Sequence, residues 1–213
     1  GIQKNNRELY EMAKNSNITV VTTWEFCPDK DFNCVGFDNF KAGYDITKYL
    51  ISLGHKKIGM IMGPYSQVYR VKQRYNGYIA ALQEVGITPP PEYAIEKHPT
   101  FIEGKEAMER LLQLNDPPTA VFAASDTLAI GAITSIRENG LKVPDDISIA
   151  GFDNLDIAYF YEPSLTTIRV PAYEMGRIAT NIIIDSIEKK QPPRRYCLDT
   201  DLIVRNSCKS IHT

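Results

Sequence analysis

Two hydrophobic periods alternate along these 213 residues. Short continuous apolar runs, too brief for a helix, are each followed by a longer stretch in which apolar residues return every three or four positions. The clearest example lies between Pro118 and Pro171. Ala120 to Ala124 predicts a buried strand, Ser125 stands where a helix N-cap belongs, and Leu128, Ala132, Ile133 and Ile136 mark one helix face that stops at Gly140. Ile147 to Gly151 predicts a second buried strand, with Phe152-Asp153-Asn154 just past its carboxyl end. Upstream, the spacing predicts a helix over 5–15 with Leu9, Met12 and Ala13 on one face, a strand from Ile18 to Thr23, and a short strand at Val35-Gly36-Phe37. A helix striped by Ala42, Ile46, Leu50 and Leu53 follows, then a strand from Lys57 to Met62 and a long amphipathic helix marked by Val71, Tyr75, Tyr78, Leu82 and Val85. Glu92 to His98 predicts a strand, and Phe101 to Leu114 a helix with Met108, Leu111 and Leu112 inward. Downstream come a strand from Leu165 to Val170, a helix from Tyr173 to Lys189, and one last extended piece from Tyr196 to Val204. This alternation predicts the α/β class, with parallel sheets flanked by helices and joined by right-handed crossovers.

In an open parallel sheet, ligands bind beyond the carboxyl ends of the strands, where loops form a crevice and helix N-termini present free N–H groups. Ser125, Asp126, Phe152 and Asp153 all fall on that edge and are candidates to share a cleft. Composition narrows the field further. A net charge of -2 with no basic stripe gives no nucleic-acid surface, and no apolar run reaches the length of a membrane helix. Cys27, Cys34, Cys197 and Cys208 have no CxxC spacing, so reduced thiols in a cytoplasmic protein are expected. His55, His98 and His212 share no face, which argues against a metal site. GxGxxG, GxxxxGK[ST] and GxSxG are absent, so the dinucleotide, P-loop and nucleophile-elbow enzymes have no sequence support, and neither a cofactor nor catalysis is expected.

Several short motifs stand in a fixed order: Pro118-Thr119-Ala120-Val121-Phe122, Ser125-Asp126 with Ala129 and Gly131-Ala132, Gly140-Leu141-Lys142-Val143-Pro144 with Asp146-Ile147-Ser148, Gly151-Phe152-Asp153-Asn154, and Leu165-Thr166-Thr167-Ile168. Asp38-Asn39, Leu53-Gly54-His55, Gly63-Pro64 and Arg74 with Gly77-Tyr78 continue the series upstream. In this order and spacing the chain resembles the effector-binding core of the lac/gal repressor family of bacterial transcription regulators. The resemblance implies a two-lobed, periplasmic-binding-protein-like fold of type I, with residues 1–38 plus 170–195 in an amino-terminal lobe and 39–169 plus 196–213 in a carboxy-terminal one. It further implies that the chain begins part-way into the first lobe, without the DNA-reading headpiece. The implied partners are a small effector, a mono- or disaccharide, a second copy in a homodimer, and operator DNA only through the headpiece, with no membrane involved.

The resemblance and the residues together nominate a ligand set. Asp153 can accept two sugar hydroxyls, as family members use the aspartate of this Gly-aromatic-Asp motif; capping the short helix from Leu155 is the competing role. Arg74, before an x-x-Gly-aromatic sequence as in the family, offers a fork of donors to neighbouring hydroxyls, against an ordinary surface ion pair. In the loop before it, Tyr65, Tyr69 and Arg70 have no assigned role. Trp24 can provide an apolar plate for a pyranose, and Glu25 a carboxylate beside it; a core or interface role is the alternative for Trp24. Ser125 replaces a frequent ligand-contacting asparagine, and helix capping explains it equally well. Phe152 completes the set. Val170 and the absence of a stacking aromatic near Pro99, unless Phe101 or Tyr93 substitutes, depart from the family pattern. The expected function is therefore a sugar-responsive domain of a repressor. A periplasmic sugar-binding protein of a transporter is the alternative, and a sugar hydrolase using Asp38, Asp126 or Asp153 is a more distant one.

Overall fold

The computed structural model describes residues 7–26, 32–64, 66, 68–188 and 192–211; Cys27, Tyr65, Lys189 and His212 lie outside them. Contacts divide the chain into two compact units, Gly1–Asn39 with Val170–Thr200, and Phe40–Arg169 with Asp201–Thr213.

In the first unit, α1 (Arg7–Asn15) leads to β1 (Val21–Thr23), which pairs in parallel with β2 (Asn33–Phe37); β2 pairs in parallel with β8 (Arg195–Leu198). The last long helix, α7 (Ala172–Glu188), packs on β1 and β2 through Met175, Ala179 and Ile182, a stripe with the three-to-four spacing of one helix face. Met12, on the apolar face expected of α1, is exposed.

The second unit opens on α2 (Asn39–Ser52), β3 (Ile58–Met62) and α3 (Tyr69–Glu84). A 3-10 turn at Pro91–Tyr93 takes up the start of the strand expected from Glu92, leaving β4 as Ala94–Glu96. Then follow α4 (Phe101–Leu112), β5 (Ala120–Ala123), α5 (Asp126–Glu138), β6 (Ser148–Asp153), α6 (Asp156–Phe160), β7 (Thr166–Arg169) and β9 (Asp201–Ile203). The sheet order is β4-β3-β5-β6-β7-β9, parallel except for β9, which runs antiparallel to β7.

Alternation along these strands sorts the core into two faces. Ile61, Val121, Ala123 and Ile149 pack with Met108 and Leu111 of α4 and with Leu128, Ile133 and Ile136 of α5. Phe122 and Phe152 point the other way, ring centres 6.4 Å apart, and each fully buried ring contributes roughly 1.5–3 kcal/mol. Glycines set how near the helices on that side approach. A Cβ at Gly43 of α2 would stand 2.3 Å from the Arg74 carbonyl oxygen, and one at Gly77 of α3 would stand 2.1 Å from that of Phe40, so the α2–α3 crossing excludes any side chain at either position.

Two expectations change. The extended piece from Tyr196 to Val204 is two strands in two different sheets: residues 196–198 pair with β2, and the chain leaves at Asp199-Thr200 to form β9 beside β7. Residues 196–200 therefore belong with the first unit rather than with the second. β6 also runs on through Asp153, which pairs with Arg169, instead of ending at Gly151. The ladder to β7 carries it two residues further than the apolar run shows.

Candidate functional site

Ser125 caps α5: its Oγ accepts the Leu128 N–H at 3.3 Å, and it has the extended backbone of an N-cap. One residue earlier, the Ala124 carbonyl accepts a hydrogen bond from Arg74 Nη1 at 3.0 Å. The Arg74 guanidinium lies over the Phe152 ring, 3.7 Å from its centre, so a helix, the end of β5 and the end of β6 converge on one arginine. That arginine is only 5% exposed. Burial pulls its pKa down to about 10, while the Asp153 carboxylate pulls the other way, and it keeps its charge at neutral pH. Phe152, nominated as a ligand contact, has no exposed surface; its ring is the support under Arg74.

Asp153 is half-buried at the end of β6 with φ 106°, and Asn154 follows at φ 54°. The competing capping role does not apply, because α6 takes Leu155 as its N-cap and has no side-chain cap hydrogen bond. No donor among the described residues hydrogen-bonds the Asp153 carboxylate. Burial pushes it up to about 6, opposed by the charges of Arg74 and Arg70. Asp126 sits differently. It has no exposed surface, its Oδ1 accepts the Thr167 hydroxyl at 2.6 Å, and its Oδ2 accepts the Leu155 N–H at 2.7 Å. Burial nonetheless raises its carboxyl to about 7. Asp126 thus faces the protein interior and not a crevice.

In the first unit, Trp24 ends β1 with φ 72°, its ring edge-on to Phe37 at 6.5 Å and 37% exposed, while Glu25 is buried. Asn39 Nδ2 donates to the Trp24 carbonyl at 2.9 Å and Cys34 Sγ to that of Glu25 at 3.0 Å, so this turn is pinned through its backbone. Among the described residues, no group of three or more His, Cys, Asp and Glu could hold a metal ion, and no helix is long and apolar enough to cross a membrane.

The pattern of the periplasmic binding protein-like domain matches residues 47–208. The HTH-type transcriptional repressor CytR of Escherichia coli K12 is 41% identical over 188 residues, 88% of this chain and 55% of that repressor. The chain belongs to this family, in its lac/gal repressor branch. It spans little more than half the length of that curated relative. Among solved structures, a transcriptional regulator LacI from Bacillus cereus subsp. cytotoxis NVH 391-98 superposes with TM-score 0.90 at 29% identity, covering 97% of this chain and 74% of that one. A complex of the transcriptional regulator CelR with cellobiose superposes with TM-score 0.86 at 31% identity, covering 93% and 62%.

Within this lac/gal-type domain, the second unit brings together Arg74, Phe152, Asp153 and the Ser125 turn, while Trp24 and Glu25 are held in the first unit. Thr167 and Arg205 escaped the sequence reading. Thr167 Oγ1 donates to Asp126 and accepts the Asn154 N–H at 3.4 Å; Arg205 Nη2 donates to Asn154 Oδ1 at 2.6 Å. Thr167 lay inside a quoted motif and offered a signal; Arg205, 51 residues beyond Asn154, offered none.

Proposed function

We propose that this chain is the effector-binding domain of a bacterial DNA-binding repressor, and that its ligand is a small polyol of the mono- or disaccharide class held by Asp153 and Arg74. One observation carries this reading: Asp153 presents a half-buried carboxylate that no donor among the described residues satisfies, close enough to Arg74 for their charges to interact. A half-buried carboxylate that water reaches can exchange that water for sugar hydroxyls, which are donors of the right kind. Ser125 supports the same reading, since its capping bond uses the oxygen as acceptor and leaves the O–H to donate. Trp24 and Glu25 are further candidates, supported by the half-exposed indole at a strand end.

Such a domain acts by population shift: the ligand biases two conformations only through its differential affinity for them, typically about 1–3 kcal/mol of coupling. No bond is broken in this scheme. The relatives named above are regulators rather than transport proteins, which favours a cytoplasmic repressor over a periplasmic carrier. A homodimer is supported by the exposed aromatic pair on α6, Tyr159 at 66% and Phe160 at 81%, and reading of operator DNA is assigned to the full-length regulator.

A thermal-shift screen of mono- and disaccharides, cellobiose included, tests the ligand class; no shift with any carbohydrate would sink it. For a sugar that binds, Asp153→Ala weakens affinity by about 1.5–3 kcal/mol with the fold intact. Unchanged affinity by calorimetry would remove Asp153 from the site.

A further inference from the structure

Asp153 adopts φ 106°, where a residue with a Cβ is held only if its surroundings enforce it, and Asn154 follows at φ 54°, in the left-handed region that asparagine tolerates. Two residues distant in the chain do so. Asp126, at the start of α5, takes the Leu155 N–H on one carboxylate oxygen and the Thr167 hydroxyl on the other. It fits because residue 151 is glycine: a Cβ there would meet Asp126 Oδ1 at 2.4 Å. From the opposite side, Arg205 donates through Nη2 to Asn154 Oδ1 at 2.6 Å and through Nη1 to the Leu165 carbonyl at 2.7 Å. Its backbone N–H donates to Thr166 Oγ1 at 2.9 Å, and its guanidinium lies 5.9 Å from the centre of the Tyr159 ring. The two grips meet at Thr167, whose hydroxyl donates to Asp126 while accepting from the Asn154 N–H.

We propose that Asp126 and Arg205 are positioning residues for ligand recognition: neither touches the ligand, and together they clamp the Asp153-Asn154-Leu155 turn so that the Asp153 carboxylate stays away from the donors of the described residues. The clamp also explains why a carboxylate in so constrained a turn remains open. Left to itself, the turn would relax toward ordinary backbone angles and carry Asp153 into water or onto a neighbouring N–H.

The inference deepens the ligand reading of Asp153, and its first test needs no ligand. In the 213-residue chain, the Asp153 carboxyl is titrated by carbon-13 NMR in wild type, Arg205→Met and Asn154→Ala. The two variants remove the same hydrogen bond from its two ends. Both are expected to lower the Asp153 pKa by about one unit or more, toward the ordinary range, as the turn opens to water. Loss of the arginine charge alone would move it upward, and Asn154→Ala changes no charge. A titration that is unchanged or raised in both variants overturns the proposal. For the other grip, Asp126→Asn is expected to speed hydrogen exchange at the Leu155 amide about tenfold or more; unchanged exchange overturns that half.

The second test is calorimetry with cellobiose as the probe. Arg205→Met and Asn154→Ala each weaken binding about tenfold, and neither weakens it further in an Asp153→Ala background, because the clamp acts only through Asp153. Fully additive losses would mark a general effect on the fold and count against the clamp. Should wild type fail to bind cellobiose, that result bears on the ligand class, and the NMR titration decides the clamp.

Discussion

The turns that end β1 and β6 solve one problem in two ways. Each follows a parallel strand, and each places a non-glycine residue at positive φ, Trp24 at 72° and Asp153 at 106°. The β1 turn is held by backbone. A Cβ on Gly36 would stand 2.3 Å from the Glu25 carbonyl carbon, the Phe26 N–H reaches the Phe37 carbonyl at 3.3 Å, and Asn39 and Cys34 bind the Trp24 and Glu25 carbonyls. The β6 turn is held by side chains, Asp126 and Arg205, reaching in from other elements. A backbone vice has no room to yield, whereas a polar clamp can shift but depends on charge and protonation.

The same substitution at both turns measures that difference. Gly36→Ala drives a methyl into the Glu25 backbone and should cost about 3–4 kcal/mol, read by urea unfolding with the fluorescence of Trp24, the sole tryptophan. Protonation discriminates next. Because burial raises the Asp126 carboxyl from its ordinary 3.8 to about 7, the folded state holds a proton that the unfolded state releases. That stabilisation is complete below about pH 4 and is lost as pH rises through about 7, a decline on the order of 4 kcal/mol. Asp126→Asn should make the profile shallower and leave only the decline below about pH 6 that the raised Asp153 carboxyl contributes, and a variant as steep as wild type would assign the slope to other groups. Gly151→Ala, whose methyl meets Asp126 Oδ1 at 2.4 Å and Leu165 Cδ2 at 2.7 Å, should cost about 2 kcal/mol, less than at Gly36 because side chains can move aside. The smallest effect has the opposite sign. Asp153→Gly should stabilise by roughly 0.5–1 kcal/mol, since glycine accepts φ 106° freely, while weakening the proposed sugar binding as much as Asp153→Ala does; destabilisation in urea would mean that Asp153 is unstrained.

Local chemistry was readable along the chain. The helix over Asp126–Glu138 with its Ser125 cap, the apolar runs of β3 and β5, and the carboxyl-edge placement of Ser125 and Asp153 all follow from spacing, capping and turn residues that act within a few positions. Family motifs add Arg74 to that list. Less local features escaped, such as the fate of Phe152: alternation places it on one face of β6, but nothing in its neighbourhood says that an arginine 78 positions earlier will cover it.

What the sequence determined by itself was the succession of strands and helices and which strand ends carry polar residues, because periodicity and capping are short-range. Only the tertiary structure decided that Tyr196–Val204 divides between two sheets, that β9 runs antiparallel, and that Arg205 and Asp126 grip the Asp153 turn. Those outcomes depend on which distant backbone groups find partners once the sheets assemble, and a hydrogen bond spanning 51 residues leaves no period to read.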